Sequence, residues 1–228
     1  MRKTIKARRL KESEMPERAK LYEVRGFRDV TVEERQTDGS VDQVTLEYRM
    51  GENDVGYFAH EYLPEGMSKD GARRIDITAV VVNHEERFVK WYLYDIKAAL
   101  AGEHTVVTLY NQWNAGVRYL RQYILKRVAG YPETPDLGVI TRRYDEEKMK
   151  RLRDDCRRYC DEMERPSATM TLPQRKKRTD IAKYRARLKA AQAILDGTFL
   201  TEDGTDTYKI HIRLLCEDSR IYKMRFPI

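Results

Sequence analysis

Residues 73–82 read RRIDITAVVV and residues 88–97 read FVKWYLYDIK, with NHEER between them at 83–87. β-Branched and aromatic residues dominate both runs and suit a pleated, half-buried surface, so the two are expected to form an antiparallel strand pair. Side chains alternate along a strand, which puts Trp91, Leu93, Asp95 and Lys97 on one face. A connection of four or five residues centred near Glu85 brings Asp76 opposite Asp95, or one residue from it. Two carboxylates and a lysine then converge within about 5–8 Å. Their neighbours Ile75, Ile77, Val80, Val82, Leu93 and Ile96 are apolar, and two acids in such a setting repel each other unless a cation or a proton neutralises them. Oxygen ligands at this spacing suit Mg²⁺ or Mn²⁺.

Downstream, Val106, Leu109, Tyr110, Trp113, Val117, Leu120, Ile124 and Val128 recur at three- and four-residue steps, predicting a helix over 105–129 that Gly130 stops. Two prolines make 131–136 a loop, and 137–143 (LGVITRR) reads as a short strand. Charged helices are expected at 145–163 and 173–196, with a break at Arg165-Pro166-Ser167. The runs 207–216 and 220–226 read as a closing hairpin. Upstream, 28–36 and 41–49 alternate with period two around Asp38-Gly39, the strongest short-range hairpin signal. Residues 13–24 carry a weak helix signal, and 56–66, ended by Pro64 and Gly66, reads as a short helix carrying Glu61.

Strand and helix blocks without regular βαβ alternation predict an α+β fold, α/β/α-like, with a mixed β-sheet flanked by helices. Residues 1–145 are expected to form the core with its N-terminal β-hairpin. Residues 146–228 are expected to add a basic helical segment and the closing hairpin, packed on that core.

The chain has 228 residues and a net charge of +7, with 36% charged residues and 15 tyrosines. That is polar for a globular protein but too apolar and aromatic for a disordered one. No apolar run nears the roughly 18–20 residues that span a bilayer. Cys156, Cys160 and Cys216 are too few for a disulfide framework, and the N-terminal stretch lacks the apolar run of a secretory signal. A cytoplasmic protein without membrane contact is the expectation. The positive excess is local: from Arg165 to Lys189 there are nine bases against Asp180 alone, leaving −1 for the rest of the chain. A concentrated basic face attracts polyanions, nucleic acid above all. Its candidate phosphate contacts are Arg175, Lys176, Lys177, Arg178, Lys183 and Arg187. A solvated helix face meeting an acidic protein is the plainer alternative.

Several signatures are absent: the Walker phosphate loop, GxGxxG, HExxH, paired CxxC zinc ligands and the GxSxG elbow. His60, His84, His104 and His211 are scattered. An acid on one strand, Asp-x-Lys on the next, then a helix and another strand resembles the PD-(D/E)XK nuclease superfamily, the restriction-endonuclease-like fold. The matching pieces are Ile75-Asp76, Asp95-Ile96-Lys97, the helix after Thr105 and the strand after Leu137, within residues 55–145. Ile75 stands where the family pattern has proline. Glu61 falls where many members carry a further acid, and Gln112 and Tyr119 on the following helix are similar to a glutamine–tyrosine pair of some members.

The resemblance implies metal-dependent hydrolysis of phosphodiester bonds. Asp76, Asp95, the Ile96 carbonyl and Glu61 would hold Mg²⁺ or Mn²⁺. Asp76, Asp95, Lys97 and Glu61 would form the catalytic set, with Lys97 orienting water or stabilising phosphate charge. DNA is favoured over RNA as substrate, and a role as effector of a prokaryotic antiviral defence system is implied, with a partner protein or a homo-oligomer. A non-catalytic basic nucleic-acid-binding or assembly subunit is the alternative. Under it, Asp95 and Lys97 are an ordinary strand-end ion pair and Asp76 caps a backbone amide.

Overall fold

The computed structural model describes residues 21–36, 38–62, 74–164, 172–215 and 220–226, with backbone alone for 172–179. The two deciding runs form β5 (Ile77–Asn83) and β6 (Phe88–Leu100), antiparallel, with Ile77 opposite Tyr94 and Asn83 opposite Phe88. Asn83 opens the four-residue turn by accepting the Glu86 N–H through its side-chain Oδ1 at 2.7 Å, and Arg87 takes a left-handed φ of +53° to close it. The register carries on to place Asp76, in the bend before β5, across from Asp95.

Seven strands lie in one mixed sheet: β1 (Tyr22–Val24), β4 (Asp54–His60), β5, β6, β7 (Glu133–Tyr144), β9 (Thr207–Leu214) and β8 (Thr198–Leu200), in that spatial order. β4, β5 and β6 form an antiparallel meander. β7 runs parallel to β6, reached through helix α1 (Glu103–Tyr119), and β9 runs parallel to β7, reached through α2 (Glu146–Glu164) and α3 (Leu172–Asp196). Period two explains the layering. Val80, Val82, Trp91 and Leu93 pack against Val106, Leu109, Trp113 and Val117 of α1 and Ala190, Ala191 and Ile194 of α3. Ile77, Ala79, Val81, Tyr92, Tyr94 and Ile96 face the other way. Each fully buried aliphatic side chain here contributes about 1.5–3 kcal/mol relative to exposure.

An α+β fold with a large mixed sheet and helices packed on it is what the residues build. The helices share one face; the other is covered by a second sheet of β2 (Phe27–Arg35), β3 (Val41–Arg49) and β10 (Ile221–Phe226). β2 and β3 are the expected Asp-Gly hairpin, with Gly39 at φ +79°. The expected closing hairpin does not form: β9 joins the large sheet, whereas β10 pairs in parallel with β3, burying Met224 and Phe226 between the sheets. Residues after 145 thus contribute strands to both sheets.

Four local readings are corrected. Residues 22–24 are strand, because Tyr22, Glu23 and Val24 pair with Phe58, Tyr57 and Gly56; residues 13–20 of that expected helix lie outside the described residues. Residues 54–60 are strand and Glu61 sits in a bend at φ +50°, so no helix carries it among the described residues. β7 starts at Glu133, ahead of the expected 137. Pro135 is accommodated because pairing with β9 begins only at Leu137, so the missing N–H faces no ladder. The predicted long helix holds α-geometry to Tyr119, then passes through a π turn (Leu120–Ile124) and a 3₁₀ turn (Leu125–Val128). Gly138 is fixed by close approach: a Cβ there would lie 2.2 Å from the His211 carbonyl oxygen and 2.6 Å from the Tyr94 ring. Among the described residues, no helix is long and apolar enough to cross a membrane.

Candidate active site

The site forms where β5 begins and β6 continues past it. Because β5 starts at Ile77, no β5 residue is there to pair with Ile96, and Asp76 supplies the acceptor instead. Its Oδ2 takes the Ile96 N–H at 2.7 Å. In a strand the N–H and C=O of one residue point to the same edge, so the Ile96 carbonyl is directed to the side where Asp76 stands. Asp95 is fully buried on the helix-facing side of β6 and Asp76 is nearly so, at 6% exposure. Lys97 forms an ion pair with Asp95 Oδ2, its side chain reaching partly to solvent.

From α1, Gln112 donates through Nε2 to Asp95 Oδ1 at 3.0 Å and to the Arg74 carbonyl at 2.6 Å, tying Asp95 to the segment leading into Asp76. Two acceptors on one amide nitrogen fix its orientation. Glu61 is brought to the same corner by its backbone, its N–H donating to the Asp76 carbonyl at 3.1 Å. Its carboxylate is directed to Arg74, at 3.3 Å.

Two acids share one nearby ammonium, and their titration reflects that. Burial pushes the Asp76 carboxyl well above the ordinary carboxylate range, and the Asp95 charge adds to it, against the pull of Lys97 and the Ile96 N–H. Burial also raises Asp95, with Lys97 opposing. Burial pulls Lys97 down, but Asp95 and Asp76, helped by Glu34 of β2, outweigh it and leave the ammonium above its usual value.

The structure therefore brings together Asp76, Asp95, Lys97 and the Ile96 backbone, adds Gln112, and places Glu61 beside them with its carboxylate on Arg74. Among the described residues no group of three or more His, Cys, Asp or Glu side chains is gathered as for a metal. The donor set still suits a hard divalent cation. Two adjacent carboxylates are offset by one ammonium, in a setting where the second negative charge survives only with a proton or a cation.

On the basic helix, Lys183 is exposed. Arg187 ion-pairs with Glu103 in the first turn of α1 at 2.7 Å and is 16% exposed. Arg175, Lys176, Lys177 and Arg178 fall in the first turns of α3, with side chains outside the described ones. Sequence reasoning passed over Arg74, whose ion pair spans residues 61–74, and Glu34, which approaches from the second sheet. It also passed over the run Arg118–Arg127 (RYLRQYILKR), whose four bases without an acid are a signal in plain view. No protein-family model, curated protein or solved structure matches the chain.

Proposed function

We propose that the chain is a metal-dependent nuclease with a restriction-endonuclease-like core, hydrolysing phosphodiester bonds at the Asp76–Asp95–Lys97 cluster. The observation that carries this is the pair of buried carboxylates, Asp95 on β6 and Asp76 in the bend that leads into its antiparallel partner β5, with Lys97 two residues beyond Asp95 and ion-paired to it. The order of elements supports it: two antiparallel strands, helix α1, then β7 parallel to β6. Asp76, Asp95 and the Ile96 carbonyl would hold Mg²⁺ or Mn²⁺, with Glu61 joining them by turning from Arg74. The metal, when bound, supplies Lewis-acid polarisation of a phosphoryl oxygen and a lower pKa for its water.

The chain's own groups do the rest. Asp76 acts as a ligand in its ionised form, which burial opposes and the neighbouring Lys97 ammonium favours. Gln112 holds the Asp95 carboxylate in place through Oδ1, leaving Oδ2 to Lys97. The Lys97 ammonium, on a side chain that is 22% exposed, can meet a phosphate oxygen or orient the attacking water. Lys183 and the neighbouring bases of α3 would hold the substrate backbone without reading sequence.

The test is cleavage of labelled duplex DNA, single-stranded DNA and RNA by the purified chain with Mg²⁺, with Mn²⁺ and with EDTA. Cleavage that EDTA abolishes is expected. Binding without cleavage under every metal condition would instead make the chain a non-catalytic nucleic-acid-binding subunit.

A further inference from the structure

A second feature lies beside the aspartate pair, built from α1's irregular end. Tyr119 and Tyr123 are four residues apart, one helical turn, and share a face. With Ala115 they form a small cluster against which Tyr62 packs. Tyr62 directly follows Glu61, whose N–H is bonded to the Asp76 carbonyl, so the tyrosines adjoin the site through one residue of chain. Tyr62 and Tyr123 are partly exposed while Tyr119 is buried beneath them. Tyr119 lies seven residues from Gln112, about 10 Å along the helix.

Bases surround this aromatic group. The guanidinium of Arg118 lies over the Tyr119 ring, 5.4 Å from its centroid. Arg127 is close enough to act on the Tyr62 hydroxyl, as is Tyr123, although burial is the largest influence there. Arg118, Lys126 and Arg127 are exposed. Arg121 is spoken for, ion-paired with Asp206 at 2.5 Å and lying over Tyr208. The π turn at Leu120–Ile124 carries Tyr123, and such turns are frequent at functional sites.

Aromatic faces interleaved with exposed cations are what unpaired nucleotides need: rings to stack bases and charge to hold phosphates. A duplex keeps its bases stacked on each other and has no use for the rings. We infer that Tyr62, Tyr123, Arg118 and Arg127 form a stacking platform that holds a single-stranded polynucleotide beside the Asp76–Asp95 pair. The inference rests on the nuclease reading, to which it adds the substrate class: a single strand or an unpaired end.

Binding is measured by fluorescence anisotropy in EDTA, where nothing is cut, with labelled single-stranded DNA, single-stranded RNA and duplex DNA. The full chain should bind one or both single strands more tightly than duplex, and the tighter of the two names the polynucleotide. Tyr123→Ala should weaken single-strand binding about fivefold or more, while Tyr123→Phe keeps it. Arg127→Gln, an exposed position that leaves the fold untouched, should weaken it too and flatten its salt dependence by about one unit of slope. Duplex bound as tightly as single strands, or unchanged binding in both Tyr123→Ala and Arg127→Gln, overturns the platform. A chain that binds single strands through these residues but cuts nothing in Mg²⁺ sinks the nuclease reading alone. A chain that cuts duplex without single-strand preference sinks the platform alone.

Discussion

The Asp76 carboxylate completes the end of a β-ladder: its Oδ2 accepts the Ile96 N–H at 2.7 Å where β5 has no backbone acceptor to offer. One side chain thereby serves two ends. It satisfies a buried amide, which unpaired would cost about 1–3 kcal/mol, and it is held against Asp95 in a setting that disfavours a second negative charge. The strain of that arrangement is electrostatic, and it makes the protonation of Asp76 a measurable quantity.

The first prediction follows from that proton. Asp76 titrates higher in the folded chain than its ordinary value of 3.8, so above that value the folded state binds more protons than the unfolded one. Stability of the metal-free protein should therefore fall as pH rises through the Asp76 window. Asp76→Asn keeps the shape and an acceptor for Ile96 but removes the charge. Denaturant unfolding in EDTA between about pH 4 and about pH 8 should show a flatter profile for the variant. Parallel profiles would mean that Asp76 is not the group carrying the proton.

Metal binding should show the reciprocal dependence. A divalent cation must displace the proton, so Mg²⁺ or Mn²⁺ affinity is expected to rise with pH. At tenfold excess over the dissociation constant the cation should stabilise the fold by about 1.4 kcal/mol, read as a rise in thermal midpoint. Glu61→Gln should weaken that response, since Glu61 is the acid nearest in backbone to Asp76. A thermal midpoint indifferent to both cations at every pH contradicts the metal site.

Lys97 is the ion-pair partner of the fully buried Asp95 carboxylate, and removing one member of such a pair leaves an uncompensated charge. Lys97→Met is expected to cost about 3 kcal/mol in denaturant unfolding at neutral pH. The double variant Asp95→Asn with Lys97→Met should recover most of it. A single variant as stable as the wild type would show that Asp95 carries a proton of its own.

Much of this corner was readable from residues 73–97, because strand alternation and a short turn are local properties. Two β-rich runs and four intervening residues fix the register, and the register fixes Asp76 against Asp95. Partners far along the chain were not readable. β10 pairs with β3 across more than 170 residues of sequence, and no local pattern chooses between that partner and β9. Arg187 shows the same limit at a side chain. Its place in a basic stripe suggests a phosphate contact, but which bases of a helix face solvent depends on the neighbouring helix, and Glu103 of α1 takes this one. Glu61 was read into a helix, but residues 54–60 are held as strand by pairing with β1 and β5 and Glu61 follows in a bend; its ion pair with Arg74, thirteen residues on, leaves no local signal.

That finding separates two residues once grouped together. Lys183→Gln should leave stability unchanged and lower the logarithmic salt slope of nucleic-acid binding by about one unit. Arg187→Gln should instead lose about 0.5–1 kcal/mol of stability, the worth of a partly exposed ion pair, with little effect on the salt slope. Salt titrations of binding and unfolding on both variants check this; the reverse pattern would return Arg187 to the phosphate-binding face.

The central claim is that the two aspartates act together on a phosphodiester, and the most direct measurement is cleavage by single isosteric variants. Wild type, Asp76→Asn and Asp95→Asn, each shown folded by its thermal transition, are incubated with labelled single-stranded DNA, duplex DNA and RNA, in Mg²⁺ and in Mn²⁺. The wild type should cut and both variants should lose cleavage by at least about a hundredfold, as expected when a group that supports metal catalysis is removed. Cleavage retained in both variants, or absent from the wild type under every metal condition, contradicts it.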